Sequence, residues 1–149
     1  MKIFAKAATI MFFSATSMLA LAANAGSTSQ AIKKTAPHGV NESFYLCLDK
    51  AGTSTIDEAA CIADEESSQD ARLNKAYQKL LSSLKGNMKQ ALVDSEREWL
   101  ISRSKDNALE TLLYGGDSQP SNLAQEQSDM FRLVERANSL DKYLAIIEN

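Results

Sequence analysis

Residues 94–104 read "DSEREWLISRS" and bring the chain's single tryptophan together with two arginines, two glutamates and an aspartate. Carboxylates beside an aromatic ring suit acid/base chemistry such as glycoside cleavage, which needs two carboxyl groups about 5 to 9.5 Å apart across one cleft. On a helix, Asp94 and Glu96 point about 200° apart, and so do Glu96 and Glu98, so neither pair can face a shared cleft. No GxSxG, HExxH or glycine-rich phosphate loop stands elsewhere in the chain. Zinc would take about four ligands, and the soft candidates are Cys47, Cys61 and the lone His38. No histidine is placed to activate either sulfur as a nucleophile. The chain is expected not to be an enzyme, with no catalytic residue, metal or cofactor.

The same spacing serves another purpose. Glu96, Trp99 and Arg103 are separated by three and four residues and share one helix face, whereas Arg97 and Glu98 point elsewhere. An arginine one turn from a tryptophan can lay its guanidinium on the ring and still reach a carboxylate. The stretch is therefore expected to act as a polar clamp between helices. Asn74 and Tyr77, i and i+3 on the preceding helix, are the expected opposing amide and hydroxyl.

Helical signals position these groups. "NESFYLCLDKAG" predicts a short helix capped by Asn41 and stopped at Gly52. Thr53 or Ser54 then opens a second helix whose first turn carries Asp57 and Glu58. Leu73, Tyr77, Leu80 and Leu84 form its apolar stripe, and Gly86 ends it. The polar run "ADEESSQD" predicts a break near Ser67, with Asp70 capping the second piece. Asn87 is the expected cap of the next helix, whose apolar face is assigned to Met88, Leu92, Trp99, Leu109, Leu112 and Leu113. The last helix starts near Pro120 or Ser121 and turns Leu123, Met130, Leu133 or Val134, Leu140 and Leu144 inward. The fold class is all-α: a small antiparallel bundle of three to four helices with a short, disulfide-tied N-terminal helix.

Residues 1–25 carry the marks of a signal peptide: Lys2 and Lys6, an apolar run over 7–22, and Ala23-Asn24-Ala25 as the cleavage pattern. Residues 26–40, polar and containing Pro37 and Gly39, read as a flexible leader, and residues 41–149 as one helical domain. The expected location is the periplasm or the secreted fraction, with no stable membrane insertion after cleavage. In that setting the even pair Cys47 and Cys61 reads as a disulfide.

The chain has 16 basic and 19 acidic residues; without Lys2 and Lys6 the formal charge is −5, which argues against nucleic acid as a partner. The charge is uneven. Over residues 42–70 eight acids (Glu42, Asp49, Asp57, Glu58, Asp64, Glu65, Glu66, Asp70) face one base, Lys50. This segment is read either as a solvated helix face or as an anionic field that steers a cationic protein partner inward. In the second reading Asp57, Glu58, Asp64, Glu65 and Glu66 form the partner-binding surface.

"CLDKAGTSTIDEAACIADEESSQDARLNKAYQKLLSSL" followed by "SEREWLISRS" resembles the LprI-like lysozyme inhibitor family. Its pattern is a cysteine pair flanking a threonine-containing helix start, then D-x-x-L-N-x-x-Y-x-x-L, then Q-R-x-W-x-x-x-R-D with a further cysteine. Cys47, Thr55, Cys61, Asp70, Leu73, Asn74, Tyr77 and Leu80 stand in register with the first two parts. Arg97, Trp99 and Arg103 match the third, which adds Arg97 to the clamp. Glu96, Ser104 and Asn107 depart from that pattern, standing where it has glutamine, aspartate and, nearby, the later cysteine. The resemblance implies an exported, helical protein of bacterial envelopes, expected to bind and block a cationic peptidoglycan hydrolase such as lysozyme. An immunity protein against a cell-wall-degrading toxin and a structural or stress-related envelope protein are the alternative readings.

Overall fold

Apolar residues recur at helical spacing along both the first and the last long helix, and these two carry the core. The computed structural model describes residues 28–115 and 119–148, so residues 1–25, read above as a signal peptide, lie outside the described residues. Five helices follow in order: α1 (Thr28–Thr35), α2 (Glu42–Ala51), α3 (Thr55–Ser83), α4 (Gly86–Leu113) and α5 (Gln119–Glu148), with no strand among the described residues. The all-α bundle is as expected, with one more helix. Part of the leader, read as flexible, forms α1, and Ile32 packs against the apolar cluster beneath α2.

The long helices alternate in direction, so α3 and α5 run parallel with α4 antiparallel to both. Ile62 of α3 lies in one cluster with Met130 and Val134 of α5, while Leu80 lies in another with Leu140 and Leu144. Leu80, Met130, Leu133, Val134 and Leu140 are almost wholly excluded from water. Burying each such side chain is worth about 1.5–3 kcal/mol, so the α3–α5 stripe is the main cohesive surface of the bundle. The disulfide between Cys47 and Cys61, with Cα atoms 5.7 Å apart, fastens α2 to the first turns of α3 beside Phe44, Tyr45 and Leu48.

Local signals set most boundaries. Gly52 ends α2 at φ +62, and Ser54 Oγ accepts from the Asp57 amide to open α3. Asn87, the expected cap of α4, lies inside that helix, whose cap is Lys85; three further expectations are corrected. First, α3 runs unbroken through Ser67, because Cys61, Ile62, Glu65 and Gln69 continue its buried face where the sequence looks polar all round. Second, Asn41 makes no capping bond to α2; its amide turns to Glu65 and Ser68 of α3. Third, α4 buries Leu92 alone, while Met88, Leu109, Leu112 and Leu113 are exposed. Leu109 and Leu112 fall out of phase with the inward face of α4, which continues from Leu92 through Glu96, Trp99, Arg103, Asn107 and Glu110, and Leu113 is the helix's last residue.

Two measurements check this architecture. Removing the disulfide as Cys47→Ala/Cys61→Ala should cost about 3 kcal/mol in urea unfolding, because it frees a loop of 14 residues' separation. Reductant should reproduce that loss in the native chain. Leu80→Ala, in the α3–α5 stripe, should cost about 2–5 kcal/mol; a loss below about 1 kcal/mol would contradict the placement of the core.

Candidate functional site

Three arginines and four carboxylates join α4 to α5 and α3. Arg136 of α5 donates through Nε and a terminal nitrogen to Glu96 Oε2 at 2.9 and 2.7 Å, and also to Ser95 Oγ at 3.1 Å. Arg103 of α4 pairs with Asp129 of α5 and reaches Glu66 of α3 at 3.1 Å. Arg132 of α5 forks onto Glu110 at 2.7 and 2.9 Å and also bonds Asn107 Oδ1. The Arg103 and Arg136 guanidiniums each lie 5.6 Å from the Trp99 ring centroid, and the indole packs against the lower core cluster, that of Leu80, Leu140 and Leu144. Each cation thus meets a carboxylate and a π-face at once, the arrangement that suits a planar guanidinium.

Glu96, Trp99 and Arg103 share the inward face of α4. The other residues assigned to the clamp lie apart from it. Arg97 points outward to Asp94 at 3.6 Å, and Asn74 is exposed and donates to its own helix at Asp70. Tyr77 packs against the lower core cluster without a hydrogen bond into the clamp. The opposing groups come instead from α5: Asp129, Arg132 and Arg136, which sequence reading missed. A signal was present. Glu96, Arg103 and Glu110 stand at seven-residue intervals, and Asp129, Arg132 and Arg136 at three and four, so each helix carries one charged stripe.

The acidic residues of the proposed partner surface also separate. Asp57 and Asp64 are exposed and Glu58 half-buried on the first turns of α3. Glu65 is corrected: it is 3 % exposed and accepts from the Asn41 backbone and side chain, both at 3.0 Å, and from Gln69 at 2.7 Å. A carboxylate so enclosed ties the chain before α2 to α3 and offers nothing to a partner. Glu66 is shared, paired to Arg103 yet still open to solvent on one side. It lines a polar cleft of about 290 Å³ with Glu126, Asp129, Asn107, Asn122 and Gln125, where α3, α4 and α5 meet.

Gln69 extends the Glu65 network by donating to the Gly39 carbonyl and accepting from Arg72, which forks onto Asp141 and reaches Asn138. Asn138 donates in turn to the His38 carbonyl. Gly39, at φ +101, is required here, since a Cβ would stand 2.9 Å from both the Arg72 guanidinium and Asn138 Oδ1.

The clamp's carboxyls are tuned by their partners. The hydrogen bond from Arg132 holds Glu110 below the ordinary glutamate value against the opposing effect of burial. Burial is the largest single influence on Asp129 and pushes it up; hydrogen bonds from Arg103 and Asn107, with both arginine charges, outweigh it and leave the pKa lowered. Among the described residues no group of three or more His, Cys, Asp or Glu is placed to hold a metal ion, and no helix is long and apolar enough to cross a membrane.

These pKa directions fix a pH dependence. A lowered folded-state pKa contributes stability that is complete above the unfolded value and is lost as pH falls through the folded one. The urea midpoint should therefore hold from neutrality down to about pH 5 and fall as acid takes Glu110 and Asp129 through the range below 4.5 and 3.8. Glu110→Gln/Asp129→Asn should flatten that descent; an unchanged slope would contradict the assignment. Arg136→Ala should destabilise by about 3 kcal/mol by leaving Glu96 enclosed and unpaired, whereas Glu96→Leu/Arg136→Met should restore most of the loss.

Comparison with known proteins places this architecture. No curated protein and no solved structure matches the chain. The family model described as "Lysozyme inhibitor LprI" matches residues 47–140, from the first cysteine to the buried Leu140 of α5. That span takes in the disulfide, all of α3, the clamp on α4 and its α5 partners, and more than half of the chain. The chain belongs to the LprI lysozyme inhibitor family.

Proposed function

We propose that the chain is exported to the bacterial envelope and there binds and blocks a cationic peptidoglycan hydrolase of the lysozyme type, using the acidic end of the bundle. The observation that carries this reading is the grouping of carboxylates at that end. Asp57, Glu58 and Asp64 stand on the first turns of α3, and Glu66 and Glu126 flank the open cleft beside them. Family membership supports a protein target, and inhibition requires a rigid surface rather than a reacting group. The disulfide supplies rigidity at the same end. A cationic enzyme would be drawn in by the field, and an arginine or lysine side chain fits the chemistry of the cleft.

Titrating the protein into a lysozyme lysis assay should suppress lysis as the molar ratio approaches unity, with the effect weakening steeply at high salt. Asp57→Asn/Glu58→Gln/Asp64→Asn should slow association by about tenfold or more while lowering the melting temperature by only a few degrees. Undiminished lysis at large molar excess of native protein would refute the reading.

A further inference from the structure

The far end of the bundle has the opposite character. There the last turns of α3 and α5 meet the first turns of α4, and they do not close. An open apolar groove of about 370 Å³ remains, lined by Leu84, Met88, Leu92, Tyr143, Ile146 and Ile147. Met88 is 60 % exposed and Ile146 64 %. Three cations left unpaired among the described residues stand beside it, while the neighbouring carboxylates Asp94 and Glu148 are tied to Arg97 and Lys79. Over residues 71–93 the chain carries Arg72, Lys75, Lys79, Lys85 and Lys89 and no acid. Lys85, Lys89 and Lys142 are the chain neighbours of the lining residues Leu84, Met88 and Tyr143, and all three are exposed. None of the three has a carboxylate partner among the described residues, whereas Lys79 is tied to Glu148 and Arg72 to Asp141.

We propose that this tip is a docking surface for an anionic lipid bilayer. Exposed aliphatic side chains would enter the acyl boundary, Tyr143 would lie at headgroup level, and Lys85, Lys89 and Lys142 would meet lipid phosphates. Charge decides between occupants. A second copy seated on the same groove by two-fold symmetry would bring like lysines face to face. A zwitterionic or neutral surface would leave them without counter-charge. The acidic end does not interfere: α3 has 29 residues, which at helical rise separate the ends by about 43 Å, against a Debye length of about 8 Å. Docked in this way, the bundle would hold its acidic end away from the lipid and open to a soluble protein. The proposal stands on the groove and its lysines and does not depend on lysozyme inhibition.

The test is co-sedimentation with large unilamellar vesicles of phosphatidylcholine alone or mixed with phosphatidylglycerol, using the chain purified as cells process it. All variants share one N-terminus, so differences between them read the groove. The native protein should partition onto the anionic vesicles, not onto phosphatidylcholine, and should be released by salt. Lys85→Gln/Lys89→Gln/Lys142→Gln should lower the partition constant by about a hundredfold. Met88→Gln/Ile146→Gln, at exposed positions that leave circular dichroism unchanged, should lower it by about tenfold. Equal partition onto both vesicles, or binding that the lysine triple variant leaves intact, would overturn the proposal. So would a dimer in sedimentation velocity that Met88→Gln/Ile146→Gln dissociates, since the groove would then belong to a second copy.

Discussion

The way α4 is attached governs most of what distinguishes this bundle. Only Leu92 of its twenty-eight residues is fully buried, and guanidinium–carboxylate pairs span the space to α5 where apolar contact would otherwise be made. Most other apolar residues of α4, among them Leu100, Ile101, Leu109 and Leu112, lie exposed, and the groove at the tip stays open. Each pair is partly or wholly removed from water, so its desolvation must be offset by good geometry and by additional hydrogen bonds. Ser95, Asn107 and Ser128 provide those bonds, and Trp99 provides a π-face for two of the three cations.

A second polar network does for the N-terminal segment what the clamp does for α4. Glu65, Gln69 and Arg72 lie on successive turns of α3 and bind Asn41, the Gly39 carbonyl, Asn138 and Asp141. The chain between α1 and α2 is thereby fixed to both α3 and α5, with Gly39 admitting the close approach. Such networks contribute specificity of arrangement more than net stability, because buried polar groups tolerate few alternative partners. Cohesion comes from the leucine-rich stripe, and the networks select which helix faces meet.

The two ends of α3 also differ in charge. Residues 55–70 carry Asp57, Glu58, Asp64, Glu65, Glu66 and Asp70 with no base, and residues 71–83 carry Arg72, Lys75 and Lys79 with no acid. Asp57 and Glu58, in the first turn of α3, favour its macrodipole and so steady the helix start before they serve any partner. In a family of lysozyme inhibitors the asymmetry also gives the molecule one anionic and one cationic, partly apolar end. The structure devotes most of its paired polar groups to holding shape.

By itself the sequence determined the helical class, the stripes of α3 and α5, the stop at Gly52, a cap at Thr53 or Ser54 and the pairing of the two cysteines. Each rests on local periodicity or on a residue type that acts over one or two turns. It also placed Glu96, Trp99 and Arg103 on one face, since that follows from angle alone. Tertiary structure decided who faces that stripe: Asp129, Arg132 and Arg136 rather than Asn74 and Tyr77. It decided that Glu65 is interior while Asp64 remains exposed, that α3 continues past Ser67, and that the leucines near the end of α4 stay outside. A side chain's burial depends on which neighbour stands opposite, and the 3.6-residue period carries no information about the neighbour.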